Sequence, residues 1–598
     1  NNLGTAGDIF FSDVATIDSQ ASEANDLVFR AGSGDITFNA NIGTASADSR
    51  PGTFTVEDST ATLTFGGADA VAADSDTAPV STINLDGAMN LGAAATELTS
   101  IIFNGGPGVG ETLLIDTTGD DVRVNGAVTL NSSLAITTGS AVAGDVTFTN
   151  DSPIDAQIDA QGGESNNLTV TAGTGAVFFN EDIGITNNIG ALTITRADGG
   201  VVFGEADTET PGAGSTGPVN TVSTDDAIDL GSANVIAGGI VLNGGATGIA
   251  FQTTDDNVRV NGALTLQSAA SIDTDAGGGD ITFTSDSTID SGDGTSAASL
   301  GSTLERNDLF LDAGDGTVSF NANIGDTQRI NTLTVDRSAG GVIFGAADTA
   351  ATGVAGPVTS VATDGAIDIG SGTTADDVIT GGIVLNGATT GITFQTSSDT
   401  IRFNGPVTLN SDVTLDTDED DADTNTEGAN VTFTVGSTID SQTAGGGSTE
   451  ANSLAIDAGV AAVLFNGNIG TAGDGELGAL QIAEADGGVV FGESDANAGP
   501  GTTGPVTTIE LVGDGVATNA LDIGVGNLDG DQITVGITFN AGPGAGDTLT
   551  IATDGENVRL NGPVTLNSDL TITTNGFAGA GNNLGTAGDI FFSDVATI

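Results

Sequence analysis

The densest cluster of groups able to do chemistry is the acidic stretch DTDEDDADTNTE, residues 416–427. Asp416, Asp418, Asp420 and Glu427 fall on positions one, three, five and twelve of a calcium-binding loop of EF-hand type, where hard oxygen donors gather around the ion. Asp421 stands where that loop has glycine, Asp423 where it has an apolar residue, and no helical pattern flanks the stretch. A calcium ion or another divalent cation held here is therefore one expectation, and a solvated acidic corner is the plainer one. No other cofactor is required by the sequence.

A second pattern lies among the cations. The chain has 10 Lys plus Arg against 80 Asp plus Glu, a net charge of −70, and all ten cations are arginine. Four of them recur in one phase, as VRVNG, IRFNG or VRLNG: Arg123, Arg259, Arg402 and Arg559, followed two residues on by Asn125, Asn261, Asn404 and Asn561. Strand alternation places each Arg and its Asn opposite the apolar neighbours, so the guanidinium groups are expected to form one outward column. Their partners would be acids just upstream, such as Asp120, Asp121, Asp255, Asp256, Asp399, Asp554 and Glu556, or carboxylates of a neighbouring filament held by bidentate contacts. The Asn-Gly pairs read as turn residues whose amides ladder from coil to coil. Polysaccharide contact is the functional alternative for them.

Composition removes most catalysis. There is no Cys, His, Trp or Tyr, so imidazole bases, thiolate nucleophiles, zinc sites and disulfides are absent. Without lysine there is no Schiff-base or P-loop chemistry. Paired carboxylates remain as the route to a polysaccharide-processing enzyme, but no Trp or Tyr exists to stack a sugar, and the expectation is that the chain is not an enzyme. So acidic a surface repels nucleic acid. No apolar run is long enough to span a bilayer.

These residues must be positioned by a repeat. Residues 1–17, NNLGTAGDIFFSDVATI, return unchanged as residues 582–598, a period of 581. Inside it Phe11, Phe148, Phe283, Phe433 and Phe592 close similar strands (DIFF, DVTF, DITF, NVTF) and mark four divergent super-repeats. The boundaries read from them are 1–143, 144–278, 279–427 and 428–587, with 588–598 opening the next period. The local texture is four to six alternating residues rich in Val, Ile, Thr and Phe, then a corner of Gly, Asn, Asp or Ser. No helical face interrupts it. The fold class expected is all-β, a parallel β-helix or β-solenoid of tandem repeats with essentially no helix, in which neighbouring coils bury what one repeat cannot. Coils of roughly 20–25 residues, about 25 of them at about 4.8 Å each, would make a rod about 120 Å long with roughly one net charge per 1.7 Å, near the axial density of duplex DNA. Such a rod is expected to need screening or divalent cations, and to associate on acidification. Phe11, Phe148, Phe283 and Phe433 are expected in the core at equivalent places.

The phrases GDITF, NGPVTLNSDVTL and DAGDGTVSFNANIG, at residues 279–283, 404–415 and 312–325, give the chain a pattern that resembles the giant repetitive β-solenoid surface proteins of bacteria. These are the filamentous-haemagglutinin-like adhesins and related exoproteins. The resemblance implies an extracellular or cell-surface protein and carries no site residue over. The functional expectation is a structural, non-catalytic segment of a secreted fibre or matrix filament, one period of a longer array, whose partners are copies of itself end to end and side by side. A giant adhesin's stalk, with its binding tip elsewhere, is the alternative.

Overall fold

A computed structural model describes residues 7–593 apart from segments 58–60, 68–77, 93–96, 107–110, 140–143, 158–164, 206–216, 293–305, 346–355, 372–376, 419–426, 445–447, 450, 472–474, 494–503, 514–518, 526–531, 545 and 576–586. The chain divides into two compact units, Asn1–Asp280 with Gly292–Asn307, and Ile281–Ser291 with Asp308–Ile598.

Both units are parallel β-solenoids. Their strands are short because each alternating run is cut by a Gly, Asn or Asp corner, and each presents apolar residues inward, as Val122 and Val124 do on either side of half-exposed Arg123. In the first unit, sheet 1 stacks Ile9–Phe11, Ile36–Phe38, Thr62–Phe65, Leu98–Phe103, Gly126–Leu130 and Ile154–Ala156. It continues through a single bridge at Ile183 to Thr221–Thr224. Sheet 2 takes Thr82–Leu85, Thr112–Thr117, Ser133–Thr137, Leu168–Gly173, Leu192–Ala197, Ile228–Leu230 and Val258–Val260. Sheet 3 takes Leu27–Phe29, Phe54–Val56, Met89–Leu91, Val122–Val124, Val146–Phe148, Ala176–Phe179, Gly200–Phe203, Ile240–Leu242 and Leu264–Leu266. The chain visits the three sheets in that order on every turn.

The second unit repeats the plan. Sheet 4 begins Ile281–Phe283, Thr317–Phe320, Gly341–Phe344, Ile383–Leu385 and Val407–Leu409. Sheet 5 includes Ser360–Ala362, Ile392–Gln395, Val413–Asp416, Leu454–Asp457, Leu480–Ile482, Asn519–Ile523, Asn557–Leu560 and Ile590–Phe592. Sheet 6 runs Leu309–Asp312, Leu333–Arg337, Ile367–Ile369, Ile401–Phe403, Val431–Phe433, Ala462–Phe465, Gly488–Phe491, Ile537–Phe539 and Val564–Leu566. Among the described residues the one antiparallel pair is the small hairpin Thr443–Ala444 with Ser448–Thr449. Among the described residues helical structure is limited to single 3-10 turns such as Ala47–Ser49 and Gly245–Thr247. No described helix is long and apolar enough to cross a membrane.

Two devices hold the coils together. The first is stacking of like on like: Phe11, Phe38, Phe65 and Phe103 form a column with ring centroids 4.9, 5.3 and 5.6 Å apart and nearly parallel planes. Phe403, Phe433, Phe465, Phe491 and Phe539 do the same at 5.0–5.4 Å. Offset stacks of this kind add to the burial of the rings themselves. The second device uses the acids. An Asp or Asn at a corner accepts a backbone N–H of the coil above, as Asp121 does from Asp145 (2.9 Å), Asp145 from Ala176 (2.8 Å), Asp290 from Thr327 (2.9 Å) and Asp412 from Ser453 (2.8 Å). Part of the acidity is thus bracketing between turns, satisfying corner donors that no strand can reach.

One expectation needs correction. Phe148, Phe283 and Phe433 are buried, while Phe11 is half-buried, but their shared phase does not give them one place in the cross-section. Phe11 lies in sheet 1 and Phe148 in sheet 3; Phe283 lies in sheet 4 and Phe433 in sheet 6. A super-repeat is not a whole number of turns. Its motif returns one sheet early, so equivalent residues step around the solenoid.

Candidate functional site: arginine clamps and a carboxylate cluster

The four phased arginines all sit at the centre of a strand, outward between two buried apolar residues. They do not form a single column. Arg123 belongs to sheet 3 and Arg259 to sheet 2, Arg402 to sheet 6 and Arg559 to sheet 5, by the same stepping that moves the phenylalanines.

Each arginine stands in register with the middle residue of an A-[IML]-[DN]-[LI]-G segment one coil earlier. Arg259 faces Asp229, Arg402 faces Asp368 and Arg559 faces Asp522. The guanidinium Nη1 donates to the carboxylate at 3.0, 2.8 and 3.0 Å respectively. These partners come from the preceding turn, not from the acids just upstream in the chain. The sequence reading missed them because they lie 30–37 residues away across corners of unequal length.

The asparagines complete the clamp. Nδ2 of Asn261, Asn404 and Asn561 donates to the carbonyl of Gly231, Gly370 and Gly524 at 2.8, 3.1 and 3.3 Å. Oδ1 of Asn125 and Asn404 accepts from Thr149 and Thr434 at 2.7 and 2.6 Å. The expected amide-to-amide ladder is replaced by these bonds, because the positions flanking Asn404 one coil away are Gly370 and Thr434. Glycine is required: at Gly370 φ is +83°, and a Cβ would lie 2.9 Å from the Asn404 Cβ, in a conformation that side chains rarely adopt.

Electrostatics divide the clamps. Burial pushes the Asp368 carboxyl above its ordinary range, and Arg402 pulls part of that back. Asp522 is likewise raised by burial and eased by Asn519 and Arg559. Arg123 is the exception. Asn90 stands where the other three have aspartate, and the guanidinium donates to the Gly92 carbonyl at 2.7 Å with no carboxylate partner among the described residues. Burial lowers its pKa with no charge to oppose the shift. Arg30, Arg50, Arg196, Arg329 and Arg337 each pair with an acid.

The acidic loop is arranged differently from an EF-hand. Asp420 lies outside the described residues. Asp416 is occupied, accepting from the Asp418 amide at 2.9 Å and from Gln395 Nε2 at 2.9 Å. Glu427 is exposed, and its carbonyl accepts the Val460 amide at 3.0 Å. Asp418 instead meets Asp457 and Glu484 from the next two turns, with one carboxylate oxygen of each within 4.8 Å of the others. Three hard oxygen donors so placed suit a calcium-like cation. A solenoid gathers such groups from stacked turns, and loop spacing within one turn does not reveal them.

No protein-family model matches the chain, and no curated protein or solved structure matches it either.

Proposed function

We propose that this chain is a non-catalytic structural segment of a secreted or cell-surface filament, assembled from copies of the same repeat. The supporting observation is the behaviour of the repeated segment. Its first occurrence, Ile9–Phe11, pairs with the turn that follows, Ile36–Phe38; its second, Ile590–Phe592, pairs with the turn that precedes, Val558–Leu560. The same three residues thus accept a neighbour on either side, as the interior of a continuous stack requires. The placement outside the cell rests on the resemblance to bacterial β-solenoid surface proteins, and so does the second reading, a stalk that carries an adhesin's binding tip.

Electron microscopy of the purified chain across a concentration series tests the fibre reading. Filaments that lengthen with concentration are expected. Single particles of constant length at every concentration would overturn it, and non-repeat binding domains in the full reading frame would favour the stalk.

A further inference from the structure

The outer face of sheet 3 carries a continuous register of residues: Arg123, Thr147, Phe178, Val202, Val241 and Thr265 on successive strands. Phe178, Val202 and Val241 point away from the core yet are only half-exposed. Three large apolar side chains lie side by side on the outside of a chain of net charge −70 and form a neutral strip. Equivalent outward pairs, Ile343 with Val384 and Leu464 with Val490, occur in the second unit. Thr408 and Thr432 border them at one end each.

What sets the sheet 3 strip apart is its end. Arg123, one strand beyond Thr147, is the clamp arginine that Asn90 leaves without a carboxylate among the described residues. We infer that the strip from Arg123 to Val241 is a lateral docking surface for a second copy of this chain, whose own carboxylate supplies the acid that Asn90 does not. The inference rests on the filament reading and specifies its side-by-side contact.

Charge complementarity selects this occupant. A half-buried guanidinium beside an apolar strip suits a surface that is both apolar and acidic. A chain with 80 acids and 10 cations offers its own copies abundant carboxylates to meet that guanidinium. Nucleic acid is repelled by the rest of the molecule, and a sugar would find no Trp or Tyr to stack on. Lateral approach of two such acidic chains is opposed everywhere except where charge is absent or reversed, and the strip supplies both conditions in one place.

The test compares the full chain with Asn90→Asp and Val202→Asp variants at fixed ionic strength, by sedimentation velocity and negative-stain microscopy. Asn90→Asp converts this clamp into the form the other three have. It is expected to weaken lateral association at least about tenfold, as loss of a desolvated intermolecular ion pair does, without lowering the melting temperature. Val202→Asp should do the same by placing charge in the strip. Filament length reads the fibre and width reads the strip, so the two can fail separately. Bundles as wide in both variants as in wild type, or wild-type filaments that stay single at every ionic strength, would overturn the inference. Loss of length with width retained would overturn the filament reading and leave the strip standing.

Discussion

Two clamps, Arg402 of the second unit and Arg123 of the first, are the same device with one atom group changed, while Arg259 of the first unit keeps its aspartate, Asp229. In the second unit Arg402 finds Asp368 at 2.8 Å; in the first, Arg123 finds Asn90 in the same register and settles on a glycine carbonyl. Fold and backbone pairing are alike in both. A coil therefore holds its register without the ion pair, and the carboxylate decides only where the arginine's charge is compensated. Hydrophobic stacking carries the solenoid, and the clamps tune its outer faces.

The largest effect should come from breaking the stack. Phe433→Ala removes a ring packed between Phe403 and Phe465 and should cost about 3–5 kcal/mol of local stability, by loss of burial plus the cavity left behind. Hydrogen exchange of the flanking strands would register it. Gly370→Ala comes next, because a Cβ there is both misplaced in φ and in collision; a loss of about 2 kcal/mol is expected. In the clamps, Arg402→Met should cost about 1–2 kcal/mol, since it strands a largely buried Asp368, with partial exposure of both partners reducing the figure. Arg123→Met should cost less, having no carboxylate to strand. Chemical denaturation of the four variants orders these effects, and a clamp loss equal to the Phe433 loss would reverse this division of labour between core and clamps.

A smaller effect is set by pH. Asp368 and Asp522 are raised above their ordinary range mainly by burial, as are Glu181, Asp226 and Glu510. Glu97 is raised chiefly by its neighbour Asp151. A carboxyl with a raised folded pKa binds its proton more tightly in the native state, so stability grows as pH falls from neutral through that pKa. Asp26 and Asp198, lowered by hydrogen bonds from Thr53 and Arg196, act oppositely, and their contribution is lost in stronger acid. The melting temperature should therefore rise modestly from pH 7 toward pH 5 and fall again below about pH 4. A monotonic fall from pH 7 would contradict these signs.

Much of the fold was legible in the sequence, because like residues recur on stacked strands and Phe, Asn-Gly and Arg mark that recurrence. The stepping between sheets was not. It depends on how many sides a super-repeat fills, and isolated bridges at Ile42, Ile183 and Ile469 take the place of full strands that periodicity would count. The clamp's arginines and asparagines could be read from their motif. Their aspartates could not, because corner lengths decide which acid lies one turn below. For the same reason the loop motif includes Asp418 but not Asp457 and Glu484, which other turns bring beside it.

Clamps, phenylalanine columns and outer strip all depend on consecutive turns stacking in fixed parallel register, so that residues far apart in sequence line up on the same face. The chain has no cysteine, and an introduced pair therefore reports without background. Thr147→Cys with Phe178→Cys places thiols on adjacent strands in register, about 4.8 Å apart at Cα and within reach of a disulfide. Thr147→Cys with Val202→Cys places them two strands apart, beyond that reach. Mild oxidation should close an intramolecular disulfide in the first variant and leave the second reduced. Closure in the second, or failure in the first while the protein stays folded, would contradict the stacking.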